Sequence, residues 1–169
     1  MDSKWSRAIH FRAEYLIRRL RLSPHPEGGH YREIFRSERR VCPVHLDSDR
    51  SALTTIYFLL NKGERSRWHR IGADEIWHHY EGDPLEMFWI ERDRWECQNR
   101  LLGALEVDAS PVEVVPAGCW MAARTTGDYS LVGCSSGPGF EFADFQLAAE
   151  LPNEAAAIAQ HFPELADLL

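Results

Sequence analysis

The sequence predicts an all-β fold, a sandwich or jelly roll, with a short helix at each end. Nine or so short runs rich in aromatic and β-branched residues fill the middle of the chain, which is the composition of half-buried strands. Segments rich in the glycine, proline, asparagine and aspartate of tight turns separate these runs. So many strands without intervening helices must stack as two sheets or close on themselves.

A helical pattern covers residues 8 to 20, AIHFRAEYLIRRL. Ile9, Leu16, Ile17 and Leu20 fall on one approximate stripe with arginines between them, so we expect a helix docked by one face. The helix should end near SPHPEGG, because two prolines and two glycines within a few residues do not continue a helix.

The strands follow in order along the chain. We expect them at HYREIFR, LTTIYFLL, SRWHR, EIWHHY, LEMFWIE, VEVVP, WMAART, YSLVGCS and DFQLA. Asn153 is then expected to cap a short C-terminal helix in NEAAAIAQHF, which Pro163 ends. The length and the lack of repeats or linkers predict one domain over residues 1–169, with the β core at about 25–150.

Charge and hydropathy argue against two classes of partner. Nineteen Lys and Arg against 26 Asp and Glu give a net charge of −7, which repels a nucleic-acid backbone. No apolar stretch is long enough to span a membrane, and the N-terminal MDSKWSRAIHF lacks the apolar core of a signal peptide. We therefore expect a cytoplasmic protein that binds neither nucleic acid nor membrane.

The four cysteines form no CxxC pair, which favours free thiols over a zinc site.

One segment carries the spacing of a known motif. Residues 63–82 read GERSRWHRIGADEIWHHYEG, which is glycine, five residues, His69, one residue, Ile71, three residues, Glu75, six residues and glycine. This resembles the first motif of the cupin superfamily, except that Ile71 stands where the second histidine belongs. The second cupin motif is echoed by PAGCWM, in which Met121 stands at the histidine position.

Three further segments are similar to the opening, middle and closing signatures of the fifth cupin subfamily. They are HPEGGHYRE (25–33), HRIGADEIWHHYEGDPLEMF (69–88) and SSGPGFEFADFQLA (135–148). This resemblance spans residues 16–149 and is to small jelly-roll proteins with no assigned activity. It implies a double-stranded β-helix with an open pocket, pairing as a homodimer, and a shape like that of RmlC-like sugar-nucleotide epimerases.

Strand alternation selects the residues that face such a pocket. It places Arg67, His69 and Ile71 on one face of their strand. The next strand would direct alternate residues inward, namely Glu75, Trp77 and His79, and turn Ile76 and His78 outward, unless a bulge shifts the register. A histidine and a glutamate that converge in an apolar cavity are candidates for acid–base catalysis, because burial moves their pKa values toward neutrality. An ion pair of Glu75 with Arg67 or Arg70 is the structural alternative.

The candidate catalytic residues are His69, Glu75 and Tyr31. The candidate binding residues lie on the same hairpin, on the opening signature or among the aromatics: Arg32, Glu33, Arg67, Trp77, His78, His79, Trp120 and Phe142. Several aromatic residues form a potential stacking surface for a ring-shaped ligand, and we expect at least half of them in the core: Trp77, Trp89, Trp120, Phe88, Phe140, Phe142 and Phe145.

Three functions fit these residues. The first is a metal-independent isomerase or epimerase acting on a small polar, sugar-like ligand, with His69 as base and Tyr31 or Glu75 assisting. The second is a metal-dependent cupin enzyme in which His69, Glu75 and one of His78 or His79 bind a divalent ion. The third is a non-catalytic small-ligand-binding protein. Because two usual ligand positions hold apolar side chains, we expect no cofactor; a metal, if bound, would take His69, Glu75 and His79.

Overall fold

The computed structural model describes residues 3–44, 48–91, 94–105 and 108–169, with side chains from residue 11 onward. Helix α1 (Ser3–Leu20) opens the chain. The described strands follow it: β1 (Ser23–Pro24), β2 (His30–Arg36), β3 (Arg40–Val41), β4 (Arg50–Ser51), β5 (Thr54–Asn61), β6 (Arg65–Arg70), β7 (Asp74–Gly82), β8 (Leu85–Ile90), β9 (Cys97–Leu102), β10 (Val112–Val115), β11 (Trp120–Thr125), β12 (Tyr129–Gly137) and β13 (Gln146–Leu147). Helix α2 (Pro152–His161) and a 3₁₀ helix (Pro163–Leu168) close it.

The strands form two antiparallel sheets that pack face to face. The first sheet has six strands in the order β1-β2-β5-β12-β7-β10, and the second has five in the order β13-β6-β11-β8-β9. Strands β3 and β4 form a separate pair. This arrangement confirms the predicted all-β jelly roll with a helix at each end.

The main core lies between the two sheets. Alternate residues of the first sheet, such as Phe58, Trp77 and Val132, meet Met87 and Met121 of the second sheet there. Because successive strand residues point to opposite faces, the residues between them point outward. The core fills part of this interlayer space, and the remainder forms the cavity described below.

The helices cover parts of the outer faces. Helix α1 packs Ala13 and Leu16 against Leu59 of the first sheet. On the second sheet, Ile158 of α2 packs in a cluster around the fully buried Trp68. The predicted stripe of the first helix therefore holds for its described side chains, and Ile9 lies outside them. Among the described residues, no helix is both long and apolar enough to cross a membrane.

Two local expectations need correction. Strand β9 was not expected, because CQNRLL lacks the alternation of a half-buried strand; it lies at a sheet edge, paired with β8. Helix α2 begins at Pro152 after Leu151, and no side chain caps it, so Asn153 is not the cap. Proline suits the first helical position because its φ is already fixed and it has no N–H to satisfy.

Candidate functional site

A cavity of about 280 Å³ opens between the two sheets. Strands β2, β5, β7 and β12 of the first sheet line it, β6 of the second sheet contributes His69, and the turn after β1 and the segment after β12 complete it. Apolar and aromatic groups form much of its wall. Its polar side chains are those of His25, Glu27, Tyr31, Glu33, Arg36, Thr54, His69, Glu75, Cys134, Ser136 and Glu141.

Glu27 is the charged centre of the cavity, although it is only 6% exposed. Ser66 Oγ donates to its Oε1 at 2.7 Å, and its Oε2 lies 3.2 Å from His25 Nδ1 and 3.3 Å from His69 Nε2. Burial alone would raise the pKa of Glu27, but the charge of His69 and the hydrogen bonds of His25 and Ser66 lower it to about 2. Glu27 is therefore a carboxylate at neutral pH.

The turn after β1 brings Glu27 to this position by a close approach of two backbones. Gly28 has φ +114°, and a Cβ at this residue would overlap the carbonyl oxygen of Arg65. Gly29 follows with φ +67°, and a Cβ there would lie 2.7 Å from the Leu59 oxygen. Only glycine fits this conformation and spacing, so the glycine pair sets the depth of Glu27.

His69 lies on the second sheet and contacts the Glu27 carboxylate. Its Nδ1 lies 2.7 Å from the carbonyl oxygen of Arg67, while its Nε2 faces the Glu27 carboxylate. Both partners are acceptors, so the contacts fit a ring that carries a proton on each nitrogen. The ring also packs at 5.5 Å on Phe145. Both nitrogens of His69 are therefore engaged with the protein.

A β-bulge decides which residues of β6 face the cavity. The pairing of β6 with β11 shifts by one residue between Ser66 and His69. Ser66 and His69 therefore both reach Glu27, whereas Arg67 Nη2 donates to a carbonyl oxygen in the turn after β1, at 2.6 Å. Arg67 does not line the cavity, which corrects the expectation from simple alternation.

Glu75 is the second buried carboxyl of the cavity, with 7% exposure. Trp77 Nε1 donates to its Oε2 at 2.8 Å, and Ser136 Oγ lies 3.3 Å from its Oε1. Burial and the charge of Glu27 raise the pKa of Glu75 to about 8, against the lowering effect of these hydrogen bonds. Among the described residues no arginine pairs with it, because both candidate arginines of β6 bond elsewhere.

His25 lies between Glu27 and an aromatic enclosure. Its side chain is 5% exposed and has five rings within 6.4 Å, those of Tyr31, Phe58, Phe140, Phe142 and Phe145. Glu27 places two groups at Nδ1: its backbone N–H, which would donate to an unprotonated Nδ1, at 3.3 Å, and its carboxylate Oε2 at 3.2 Å. We assign the ring proton to Nδ1, because a lone pair there would face the buried carboxylate and be repelled. Nε2 then accepts, and in the described part of the chain no side chain or backbone group bonds it.

An ion-pair network forms one side of the cavity mouth. Arg36 donates to both oxygens of Glu33 at 3.0 and 2.8 Å, to Glu141 Oε1 at 2.7 Å and to the carbonyl oxygen of Phe140 at 3.0 Å. Phe142, which is 50% exposed, stacks over His25 beside it. The Arg36 guanidinium therefore forms ion pairs with two carboxylates.

The family profile described as "Cupin superfamily (DUF985)" matches residues 14–148, a range that contains both sheets' central strands and every residue of the cavity. The chain belongs to this cupin family. The match confirms the resemblance that the motifs around His69 and in HPEGGHYRE indicate.

Two solved structures are similar to this cupin over most of its length. A hypothetical protein from Leishmania major is 32% identical, with a TM-score of 0.78 and coverage of 92% of this chain and 95% of that chain. A protein from Shewanella oneidensis is 35% identical, with a TM-score of 0.77 and coverage of 92% and 93%. Oxalate decarboxylase from Bacillus subtilis, 11% identical with a TM-score of 0.57 over 86% of this chain and 36% of that chain, shares the fold alone. No curated protein matches the sequence.

The residues of this cupin do not fit the three-ligand metal site considered from the sequence. Both nitrogens of His69 are engaged, the Glu75 carboxyl accepts from Trp77 and Ser136, and His79 does not line the cavity. Within the described ranges, no group of three or more His, Cys, Asp or Glu side chains is arranged to hold a metal ion.

The structure brings six of the candidate site residues to the cavity. Those that line it are His69, Glu75, Tyr31, Glu33, Trp77 and Phe142. Phe140 joins them, while Phe145 packs beside His69. The other aromatic candidates, Trp89, Phe88 and Trp120, are buried in the hydrophobic clusters.

Five candidate binding residues lie away from the cavity: Arg32, Arg67, His78, His79 and Trp120. Arg32 stacks over Tyr57 on the outer face of the first sheet, and Trp120 donates to Glu154 on the far side of the second. His78 points outward by alternation from Trp77. His79 points inward but pairs with Val132, which belongs to the packed core beyond the cavity.

The main residues that sequence reasoning missed are His25 and Glu27. Both lie in an irregular turn, where no periodicity indicates which side chains point inward. The glycine pair after Glu27 is the available signal, because consecutive glycines indicate special dihedrals or a close backbone approach. Ser136 and Cys134, also unforeseen, reach the cavity because β12 pairs them with Glu75 and Trp77.

Proposed function

We propose that this cupin binds a small polar ligand in the interlayer cavity and isomerises it by acid–base catalysis that needs no metal ion. The proposal is supported by two buried carboxyl groups that line the same cavity, Glu27 with a pKa lowered to about 2 and Glu75 with a pKa raised to about 8. Two titratable groups whose environments push their pKa values apart are the usual basis of paired acid and base roles.

His25 is the base in this proposal. Glu27 orients its ring through Nδ1 and stabilises the cation that forms when Nε2 takes a proton, as a carboxylate does for the histidine of a catalytic triad. His69, the base candidate from the sequence, has both nitrogens engaged and acts by positioning Glu27. Tyr31 supports the His25 ring edge-on at 4.4 Å.

Glu75 is the acid. A carboxyl with a pKa of about 8 holds its proton at neutral pH and has a small driving force for transfer in either direction. In the proposed reaction, His25 Nε2 removes a proton from a carbon next to a carbonyl group, and Glu75 protonates the carbonyl oxygen. Return of both protons, with the carbon proton delivered to another face or position, gives the isomer and regenerates both side chains.

Deuterium exchange tests this chemistry on any carbonyl compound that the cavity binds. Small neutral and charged carbonyl compounds, sugars included, are first screened for binding by ligand-observed NMR and then incubated with the protein in D₂O. We expect a bound compound to gain deuterium at carbon, with loss of at least about 100-fold in rate for His25→Asn and for Glu75→Gln. Glu150→Gln, an exposed site outside the cavity, is the control.

Binding without any carbon exchange would instead favour the non-catalytic ligand-binding function. The metal-dependent alternative has its own test, elemental analysis of the purified chain. We expect no stoichiometric divalent ion. One bound ion per chain that is lost in His69→Ala would contradict the metal-free mechanism.

We also infer that the chain forms a homodimer through the outer face of the first sheet. Ile76, Val112 and Val114 are 38%, 41% and 49% exposed on this face, and Val114 pairs directly with Ile76. An exposed apolar sheet face is a common site of association. Light scattering should give a dimer mass, and Val114→Arg should give a monomer.

The cytoplasmic location expected from the sequence stays a prediction.

A further inference from the structure

We propose that the cavity selects a small organic cation, an amine with a compact apolar body, over any phosphate or carboxylate. This inference rests on the proposed ligand-binding role of the cavity and is independent of the isomerase chemistry. It differs from the expectation set by likeness to sugar-nucleotide epimerases, whose substrates are anionic.

The charges of the lining carry the first part of the argument. Four carboxyl groups face the cavity, those of Glu27, Glu33, Glu75 and Glu141, against two cationic side chains, the Arg36 guanidinium and the His69 ring that pairs with Glu27. With Glu75 protonated, three carboxylates stand against these two cations, so the lining keeps a net negative charge. An anion that entered would meet a negative potential, which low-dielectric walls intensify.

The cationic side chains of the cavity are already engaged. Arg36 makes four hydrogen bonds to Glu33, Glu141 and the Phe140 carbonyl oxygen. His69 pairs with Glu27 and with a backbone carbonyl oxygen. Among the described lining residues no arginine or lysine is left to pair with a phosphate or carboxylate, whereas anion sites usually rely on such a group.

The aromatic side chains that line the cavity also favour a cation. Tyr31, Phe140 and Phe142 surround His25, and Trp77 lies deeper in the same cavity. The negative faces of aromatic rings attract cations, most strongly where water is excluded. The same rings provide apolar surface for the body of the ligand.

The ring nitrogen of His25 that is open to the cavity is a third, independent observation. His25 is 5% exposed and lines the cavity, yet its Nε2 bonds no described group. With the Nδ1 proton donated to Glu27, Nε2 presents a lone pair. Its complement is an N–H or O–H donor, and together with the negative lining and the aromatic wall it favours a protonated amine.

Three probes that share one ring test the selection at pH 7: benzylamine, which is a cation, benzyl alcohol, which is neutral, and benzoate, which is an anion. Dissociation constants are measured by NMR titration at low salt. We expect benzylamine to bind at least about tenfold more tightly than benzyl alcohol, and benzoate to bind most weakly. Comparable affinity for benzylamine and benzoate, or for benzylamine and benzyl alcohol, would overturn the proposal.

Two variants at the mouth sharpen the test. Glu141→Gln removes one partner of Arg36, so it should weaken benzylamine binding and strengthen benzoate binding, each several-fold. Arg36→Gln should have the reverse effect, and Glu150→Gln should change neither. No detectable benzylamine binding at about 10 mM by the folded protein would also refute cation selection. Deuterium exchange into a different ligand would then leave the isomerase proposal standing.

Discussion

Glu27 Oε2 lies 3.3 Å from Nε2 of His69, and this contact joins the turn after β1 to the second sheet. Neither residue acts alone, because the same carboxylate also faces His25 and accepts from Ser66. The positions of three side chains in the cavity therefore depend on one buried carboxylate, which contacts all three. A buried charge with good partners is costly to disrupt, since removal of one member leaves the others without compensation.

Replacement of Glu27 by glutamine should destabilise the fold. The amide keeps the shape of the side chain but leaves His25 and His69 without their carboxylate. We expect the free energy of unfolding at neutral pH to fall by about 3 kcal/mol in urea denaturation. Glu150→Gln, an exposed control, should change it by less than about 0.5 kcal/mol. If Glu27→Gln were as stable as the control, the contacts of Glu27 with the two histidines would contribute nothing to the free energy of unfolding.

Alanine substitutions at Gly28 and Gly63 distinguish two costs: the steric overlap of a new Cβ with a neighbouring backbone, and the strain of a positive φ. Gly28→Ala places a methyl group against the Arg65 carbonyl oxygen at φ +114°, whereas Gly63→Ala, at φ +81°, meets no atom within 4 Å. Both substitutions carry the strain of a positive φ, on the order of 1–3 kcal/mol and larger at Gly28, and only Gly28→Ala must also move the turn that holds Glu27. Thermal unfolding should show a loss at least twice as large for Gly28→Ala. Equal losses would mean that the turn adapts freely.

The stability of the protein should fall as the pH rises toward 8 because of Glu75. The pKa of this group is raised from 4.5 to about 8 by burial and by the charge of Glu27. Between these values the folded chain binds its proton more tightly than the unfolded chain, so the contribution is full below pH 4.5 and is lost through pH 8. Glu75→Gln cannot ionise and should be more stable than the wild type at pH 8 by about 4 kcal/mol.

Urea denaturation at several pH values between 5 and 8.5 measures this difference. The wild type should lose stability relative to Glu75→Gln as the pH rises, while Glu150→Gln should follow the wild type. Parallel pH profiles for the wild type and Glu75→Gln would contradict the raised pKa.

The cysteines should differ sharply in reactivity. Cys42 is exposed, whereas Cys134 is buried at the cavity wall, and burial with the charges of Glu75 and Glu27 raises its thiol pKa well above the usual value. Because the thiolate is the reactive form, iodoacetamide should label Cys42 at least about tenfold faster than Cys134. Peptide mass spectrometry gives both rates, and labelling in urea is the control. Similar rates in the folded protein would show that solvent reaches the cavity wall.

The sequence was informative wherever strand periodicity operates. Alternation in β7 correctly oriented Glu75 and Trp77 toward the interior and Ile76 away from it. The motif spacing likewise brought His69 and Glu75 to one cavity. These features follow from the two-residue repeat of a strand, which a sequence displays directly.

The rest of the site depends on contacts between distant segments. The bulge in β6 turned Ser66 rather than Arg67 toward Glu27, and no residue type in SRWHR marks that shift. His25 and Glu27 lie in a turn whose geometry becomes interpretable only once Gly28 is seen against Arg65. Nor can a sequence give the opposite pKa shifts of Glu27 and Glu75, because burial and neighbouring charges set them.

¹³C NMR of side-chain-labelled glutamate tests most directly whether one cavity holds both an ionised and a protonated carboxyl. Carboxyl resonances are followed from about pH 2 to pH 9, and Glu27→Gln and Glu75→Gln assign the two signals. We predict one midpoint near 8 that disappears in Glu75→Gln, and one carboxylate signal that stays ionised until the acid end of the range and disappears in Glu27→Gln. Titration of both residues at the ordinary value of about 4.5 would contradict the claim.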